Sequence, residues 1–462
     1  MTTIIEVSDA NELITELRNI DNIGKTISLI SDITVMLEAQ SDPLIISVDD
    51  ITLTSDTGTR ILTIDSLQQS VQQDTSVRVL SSSTIDNLII TSALTTESCI
   101  DILSTNCNIS NCTINFDSSI GVKLPVNDFV MNNCILQPLN INTNNCSIKT
   151  TNIIQQGGQG QQGQQNPEQT EIGTLTLTNC TINYTNQGVI LENNVTMNLT
   201  NINNINSNTN STGIELSKDN INFNATKCNI DYRNTGIMTN NTIDKLELNE
   251  CKLQILENEN QINNGLILSN PVSELTILDC ELYYKNKGLS ITGNSNLINI
   301  KNTKFDCVDK NYTNDTAIDI SINSPIINDL NTLDIIVDNC DINYCNKGIN
   351  VPKPISNNLG QINLEIKNSK INNTSTGDIL NTESPITLEK FSIGTSSNYL
   401  NTTIDNNEIL YLKNGIVSSS DSLTIKNNIL HNINETDTEY ISHPITITMR
   451  VSVFASRSEV LF

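Results

Sequence analysis

The segment LTLTNCTINYTNQGVIL, residues 175–191, contains the pattern that decides the fold. Short runs of apolar residues alternate with polar ones, and the apolar pairs are Leu175 with Leu177, Cys180 with Ile182, and Val189 with Leu191. Alternation with a period of two places one set of side chains on one face of a β-strand. The segment therefore predicts three short strands separated by two bends.

Copies of this unit recur down the chain, each reading apolar, x, apolar, x, polar, small, x, apolar. They are LELNECKL (246–253), LTILDCEL (275–282), INIKNTKF (298–305), IIVDNCDI (335–342), LEIKNSKI (364–371) and LTIKNNIL (423–430). The small residue serves as an anchor, and looser copies place Ile202, Cys228 and Asn407 in the same slot. The shortest spacing between anchors is 21 residues, from Asn407 to Asn428, so longer spacings indicate the same unit with an insertion.

A glycine follows the anchor by eight residues in six units. These glycines are Gly188, Gly236, Gly288, Gly348, Gly377 and Gly415. Composition bias does not explain six identical spacings between anchor and glycine. The glycine therefore marks a second bend at a fixed distance from the first. We expect glycine at this bend because it adopts left-handed backbone without steric cost.

Asparagine often precedes the anchor, as at Asn179, Asn302, Asn339, Asn368 and Asn427. Asparagine tolerates left-handed backbone and hydrogen-bonds its own turn, and stacked asparagines can bond to one another. Strands this short need stacked coils to bury a continuous apolar column. We expect the anchor thiols to point inward and to stack about 4.8 Å apart, a spacing that also permits disulfides, and we favour reduced thiols. They are Cys180, Cys228, Cys251, Cys280 and Cys340.

This coil unit, with its bend asparagine and turns such as TNQGVIL (185–191) and CNKGINV (345–351), resembles the right-handed parallel β-helix superfamily of pectate lyases, tailspikes and NosD-like repeat proteins. The resemblance covers roughly residues 80–430. It implies an all-β fold, a right-handed single-stranded parallel β-helix (solenoid) with an N-terminal capping helix. It implies nothing specific about function. The alternating residues 444–454 add the expectation of a C-terminal extended strand.

Three segments follow from the pattern. Residues 1–79 are expected to hold a capping helix, with Asp9 and Glu12 as a capping box, and the first strands. Residues 80–430 form the coils, with a flexible Gln/Gly loop at 155–167. Residues 431–462 are either a cap or a strand that pairs with a neighbouring subunit. The residues assigned to such assembly are Ile445, Ile447, Val451, Val453 and Phe454.

The composition argues against several functions. The net charge of −26 argues against nucleic-acid binding, and no long apolar run indicates a membrane span. Six arginines, two histidines and no tryptophan leave few groups for catalysis or for stacking on sugars. Two carboxylate pairs, Asp338 with Asp341 and Asp306 with Asp309, flank bends and are interpreted as turn residues. No catalytic, metal or cofactor residue is therefore assigned.

The function predicted from the sequence is structural. A non-enzymatic, self-assembling coat, appendage or fibre component of a spore, cell surface or virion accounts for the repeat and the acidity. The start of the chain shows no signal peptide, so assembly into an outer layer or particle is expected without secretion. We expect a homo-oligomer or polymer. The alternative is a carbohydrate-binding or carbohydrate-degrading β-helix, tailspike-like or lyase-like, or an adhesin.

Overall fold

A computed structural model of the chain describes part of its 462 residues. The described ranges are 3–38, 42–56, 58–66, 74–125, 128–141, 145–151, 173–205, 211–256, 263–309, 315–321, 332–344, 346–352, 361–374, 386–388, 400–411, 414–418, 422–432 and 443–447. The chain divides into two compact units, 1–223 and 224–462. The segments predicted from sequence, 1–79, 80–430 and 431–462, stay a prediction.

The first unit contains the helices and the earlier strands. Its elements are β1 Ile4–Val7, α1 Ala10–Glu16, a 3₁₀ turn Ile20–Asn22, β2 Thr26–Leu29, β3 Ile33–Leu37, β4 Leu44–Ile46, β5 Ile51–Ser55, β6 Arg60–Ser66, β7 Thr75–Val79, β8 Ser83–Asp86, β9 Leu88–Ser92, β10 Ser98–Ile102, β11 Cys107–Ser110, β12 Thr113–Phe116, β13 Ile120–Pro125, β14 Phe129–Asn132, β15 Ile135–Pro138, β16 Cys146–Thr151, β17 Thr174–Thr178, β18 Thr181–Tyr184, β19 Gln187–Leu191, β20 Asn194–Asn198, β21 Asn201–Asn204 and β22 Thr212–Leu216, with the unit boundary inside β23 Ile221–Thr226.

The second unit consists of strands in its described part. They are β24 Asn229–Tyr232, β25 Thr235–Thr239, β26 Ile243–Asn249, β27 Lys252–Ile255, β28 Asn264–Leu268, β29 Val272–Leu278, β30 Glu281–Tyr284, β31 Lys287–Ile291, β32 Leu297–Lys301, β33 Lys304–Cys307, β34 Thr316–Ile320, β35 Thr332–Asp338, β36 Asp341–Tyr344, β37 Lys347–Val351, β38 Gln361–Lys367, β39 Lys370–Asn373, β40 Ile386–Leu388, β41 Leu400–Asp405, β42 Glu408–Tyr411, β43 Asn414–Ser418, β44 Ser422–Lys426, β45 Ile429–Asn432 and β46 His443–Ile447.

Within each unit the strands fall into three parallel sheets, and hydrogen-bonded neighbours are three strands apart in the chain, except that β1 pairs with β2. We name the sheets by one coil of the first unit: β17 lies in sheet 1, β18 in sheet 2 and β19 in sheet 3. In the second unit β29, β30 and β31 occupy sheets 1, 2 and 3. One turn of chain thus visits each sheet once. The fold is the right-handed parallel β-helix predicted from the repeat.

The bend between sheets 1 and 2 has one residue in left-handed backbone. The predicted asparagines Asn179, Asn302, Asn339, Asn368 and Asn427 all have φ between 51° and 54°. Their amides form part of a ladder: Asn339 Nδ2 donates to Asn302 Oδ1 at 2.8 Å, and Asn368 Nδ2 donates to Asp338 Oδ1 at 2.8 Å. The bend geometry favours asparagine because its short polar side chain lowers the cost of this backbone region.

One anchor was assigned wrongly. The left-handed residue of the coil after Cys180 is Leu199, with φ of 51°, so Thr200 rather than Ile202 occupies the anchor slot. Thr200 Oγ1 donates to the carbonyl of Leu177 at 3.4 Å, much as Cys180 Sγ donates to that of Met131 at 3.5 Å. The sequence misled because Leu199 does not have the short polar side chain that marks the other bends.

The anchor thiols lie inside the coils, where they are buried and free of disulfides. Successive anchors contact one another in the second unit, where the backbone N–H of Cys251 lies 3.3 Å from Cys280 Sγ. Cys251 Sγ in turn donates to the carbonyl of Ala225 at 3.3 Å. Thiols therefore fill the slot that Thr303 and Ser369 fill in later coils.

The explanation offered for the glycines is wrong. Gly188, Gly236, Gly288 and Gly348 lie within strands of sheet 3, as does Gly415, and Gly24 is the glycine with positive φ in the described ranges. The cause is crowding between coils. A Cβ at Gly236 would lie 2.6 Å from the carbonyl oxygen of Gly265, and one at Gly288 would lie 2.6 Å from that of Ala317. Gly377 lies outside the described residues.

The amphipathic helix α1 covers the start of the coils. The Asp9 side chain accepts from the backbone N–H groups of Asn11 and Glu12, and Glu12 Oε2 accepts from the N–H of Ser8 at 2.8 Å. Leu13 and Leu17 are fully buried. Polar residues face outward, which is how solenoid ends avoid association.

Candidate functional site

The predicted anchor thiols lie in the interior, whereas the predicted bend asparagines are exposed and hydrogen-bond between coils. Burial raises the pKa of the Cys340 thiol to about 12, and that of Cys112 likewise to about 12. Such thiols stay protonated at neutral pH and are poor nucleophiles.

Three of the four carboxylates noted in the sequence contact neighbours in the chain. Asp306 forms an ion pair with Lys304 at 2.9 Å, and Asp309 forms one with Lys285 at 3.0 Å. Asp338 accepts from the Asn368 amide across coils. The fourth, Asp341, has a buried Oδ1 without a hydrogen-bond partner among the described residues, and the turn role of these carboxylates stays a prediction.

A different group of charged side chains comes together on the outer face of sheet 3 in the first unit. Arg78 of β7 lies in register with Asp101 of β10, which is in register with Lys123 of β13, and Lys123 with Lys149 of β16. Their strand neighbours such as Val77 and Ile100 point into the core, so alternation turns these four outward. We call Arg78, Asp101, Lys123 and Lys149 the basic column.

Two buried atoms of the basic column have no hydrogen-bond partner among the residues that the structure describes. These are Arg78 Nε, which lies 3.7 Å from Asp101 Oδ2, and Asp101 Oδ1. Asp101 is only 7% exposed, and burial raises the pKa of its carboxyl, while Lys123 and Arg78 oppose the rise. Lys123 Nζ also forms an ion pair with Glu97 Oε1 at 3.0 Å. A buried polar group without a partner is costly, so this site suits a ligand that supplies donors and acceptors.

The basic column was not predicted because the copies of the unit quoted from the sequence begin at residue 175, after all four of its side chains. The left-handed bends at Asn87, Asn111 and Asn133 show that the earlier coils are regular as well. The spacing to those bends could have identified the column from the sequence. Arg78, Asp101 and Lys123 each precede a bend asparagine by nine or ten residues.

A second surface feature is a groove of about 390 Å³ on the outer face of sheet 1 in the second unit. Its polar lining includes Asp334, Asn363, Glu365 and Asn401. Asn363 Nδ2 donates to Asp334 Oδ1 at 2.8 Å, and Asn401 Nδ2 donates to Asn363 Oδ1 at 3.2 Å. These groups are engaged with one another, so the groove shows fewer unmet hydrogen bonds than the basic column.

The C-terminal assembly residues divide between described and undescribed parts. Ile445 and Ile447 lie in β46, which pairs in parallel with β43 as a further strand of sheet 3. Val451, Val453 and Phe454 lie outside the described residues. The assembly role of this segment stays a prediction.

Two features are absent from the described ranges. No helix there has the length and apolar character needed to cross a bilayer. No group of three or more histidine, cysteine or acidic side chains is arranged there to hold a metal ion.

Comparison with known proteins identifies similar folds. No protein-family model matches the chain, and no curated protein matches it in sequence. A mutant tailspike protein of an E. coli bacteriophage, in complex with a pentasaccharide, is 10% identical over 97% of this chain and 78% of the tailspike chain, with a TM-score of 0.50. A pectate lyase is 12% identical over 66% of this chain and 78% of its own, with a TM-score of 0.39. An alginate lyase in complex with a trisaccharide is 12% identical over 98% of this chain and 85% of its own, with a TM-score of 0.34.

Proposed function

We propose that this chain is a non-enzymatic β-helix component of a surface layer or particle, and that its basic column binds acidic carbohydrate. The observation that carries the binding role is the in-register set Arg78, Lys123 and Lys149 around the buried Asp101, on a chain whose net charge is −26. Cations concentrated at one place on an acidic protein favour an anionic ligand.

The chemistry of the column specifies what the ligand should carry. A carboxylate or sulfate on a sugar would accept from the Arg78 guanidinium and the lysine ammonium groups. A neighbouring sugar hydroxyl would donate to Asp101 Oδ1, which has no partner within the described part of the chain. Adjacent coils repeat about every 4.8 Å, so cations from three coils can follow an extended chain. The tailspike of similar fold binds a pentasaccharide, which supports a saccharide ligand.

The structural role is supported by how the other polar groups are used. The bend asparagines bond between coils, and the carboxylates near the bends pair with lysines of the same unit. These contacts engage the bend asparagines and two of the nearby carboxylates within the scaffold itself. A self-assembling coat, appendage or fibre of a spore, cell surface or virion remains the setting we propose for such a scaffold.

The binding role is tested by calorimetric titration of the full chain with a galacturonate oligosaccharide, with a neutral malto-oligosaccharide as the ligand control. We expect binding of the acidic sugar only, weakened at least about tenfold by Arg78→Gln or Lys123→Gln, since each removes a charge-assisted hydrogen bond. Lys245→Gln is the matched control because Lys245 pairs with Glu247 elsewhere. Equal affinity for both sugars, or no effect of Arg78→Gln, would refute the site.

The proposed lack of catalytic activity is tested by a separate assay. The same chain is incubated with polygalacturonate, and the mixture is assayed for unsaturated and reducing ends. We expect neither above the level of a no-protein blank. Release that Arg78→Gln abolishes would replace this proposal with a lyase or hydrolase at the same column.

A further inference from the structure

The bend between sheets 1 and 2 in the second unit is flanked by charges that change sign from coil to coil. In four successive coils, the residue before the left-handed bend residue and the second residue after it carry the same sign, and we call such a pair a band. In chain order the bands are Lys301 with Lys304, Asp338 with Asp341, Lys367 with Lys370, and Asp405 with Glu408. Single charges extend the alternation by one coil at each end, Glu281 after the bend of the preceding coil and Lys426 before the bend of the following one.

The bands lie in register along the stack. Lys301 is the partner of Asp338 in sheet 1, and Asp338 is the partner of Lys367. In sheet 2, Glu281 is the partner of Lys304, and Lys304 is the partner of Asp341. Adjacent bands are therefore about one strand spacing apart, roughly 4.8 Å. Six successive coils alternate in sign without a break.

The bands border an exposed ridge. The bend residues between them, such as Asn302, Asn339 and Asn406, are exposed, as are Lys370 and Glu408. Some band residues make contacts within the chain: Lys426 pairs with Asp405 at 3.1 Å, Lys304 with Asp306 at 2.9 Å, and Lys367 with Glu365 at 3.2 Å. These contacts leave the order of signs along the ridge unchanged.

An even number of alternating bands has a particular symmetry. A two-fold axis perpendicular to the stack, placed between the second and third of the four bands, brings the first band opposite the fourth and the second opposite the third. Each such pair joins opposite signs. An odd number of bands would place like charges together under the same operation.

We propose that this ridge is an isologous interface between two antiparallel copies of the chain, in which Lys304 of one copy faces the partner's Glu408. A two-fold contact uses the same surface on both subunits, so each complementary pair is made twice. Alternating charge gives register and orientation, because a shift by one coil or a parallel arrangement in full register sets like charges face to face. The interface is separate from the basic column, which lies in the first unit.

The test is sedimentation equilibrium of the full chain. We expect a dimer at about 50 mM salt that dissociates at about 500 mM, since screening weakens exposed charge pairs. Lys304→Glu and Glu408→Lys should each weaken dimerisation at least about tenfold, because each places two like-charged pairs in the interface. The combined variant Lys304→Glu with Glu408→Lys should restore it.

The combined variant distinguishes charges that act between two copies from charges that act only within one chain. Within one chain, Lys304→Glu sets a third acidic side chain between Glu281 and Asp341, and thus the thermal stability of the combined variant should remain below that of the wild type while its dimer reforms. A wild-type chain that is monomeric at both salt concentrations would overturn the proposal. A dimer indifferent to salt, or one that the combined variant fails to restore while its circular dichroism remains native, would also overturn it.

Discussion

Replacing Tyr284 with alanine should lower the free energy of unfolding by about 3–5 kcal/mol, the range for emptying a large buried aromatic site. Tyr232, Tyr284 and Tyr344 are fully buried inside the second unit. In the next coil each is followed in register by a smaller residue, respectively Ile255, Cys307 and Asn373. Large and small side chains thus alternate, and no neighbour can fill the space that an alanine leaves.

The hydroxyl of Tyr284 adds a separable contribution. It donates to the carbonyl of Asn343 at 2.8 Å, two coils further along the chain. Tyr284→Phe keeps the ring and should cost only about 1 kcal/mol. Denaturant unfolding of Tyr284→Ala, Tyr284→Phe and the wild type measures the contribution of the ring and that of the hydroxyl separately.

Tyr283 is the matched control because it is adjacent in sequence but faces outward. Its ring lies 5.2 Å from Lys252 Nζ and 5.3 Å from Lys304 Nζ. Tyr283→Ala should cost about 1 kcal/mol or less, as expected for an exposed cation–π site. If Tyr283→Ala is as destabilising as Tyr284→Ala, the assignment of faces in β30 is wrong.

Alkaline pH should unfold the chain through its buried thiols. Burial raises the pKa of Cys99, Cys112, Cys146 and Cys340 to about 12 each, from 9.0 for the unperturbed thiol. Below about pH 9 both states hold these protons and the stability is complete. Between about pH 9 and pH 12 the unfolded chain loses protons that the folded chain keeps, so stability falls with rising pH. The slope for four thiols is about 5 kcal/mol per pH unit.

Cys340→Ser isolates one thiol. Ser369 fills the same slot in the following coil, where its hydroxyl donates to the carbonyl of Lys367 at 2.8 Å, so serine fits the column. Guanidinium unfolding at several alkaline pH values should show a slope shallower by about 1.4 kcal/mol per pH unit in the variant. Tyrosines and lysines titrate equally in both proteins and cancel. Identical slopes would mean that Cys340 does not stay protonated in the folded state.

The repeat in the sequence was sufficient to predict the fold. The pairing of LTLTNCTI with its later copies predicted strands in the right places, and Asn302 and Asn339 marked bends that have left-handed backbone. The sequence did not predict left-handed backbone at Lys227, Glu250 and Leu199. These residue types do not favour that conformation, so the stacked coils impose it. The close approach of coils at Gly236 and Gly288 also needs coordinates, since sequence alone does not separate a tight bend from a crowded strand.

The candidate site was much less predictable. Arg78, Asp101, Lys123 and Lys149 are separated by 22 to 26 residues, and only the register of β7, β10, β13 and β16 joins them. The same holds for the bands, whose alternation exists only between coils. Stacking brings side chains that are far apart in sequence onto one surface. An error of one residue in the predicted register of any coil would therefore have placed these side chains on different faces.

Stacking in register is therefore the claim on which the site and the interface both depend, and distances along one column test it most directly. Glu247, Glu365 and Thr424 occupy one outward column of sheet 1, and spin labels can be attached there through introduced ketone residues. Pulsed electron paramagnetic resonance should place the labels at 247 and 424 about 29 Å apart, six strand spacings, and those at 247 and 365 about 19 Å apart, four spacings. Distances that fail to scale as six to four would contradict the stacked coil.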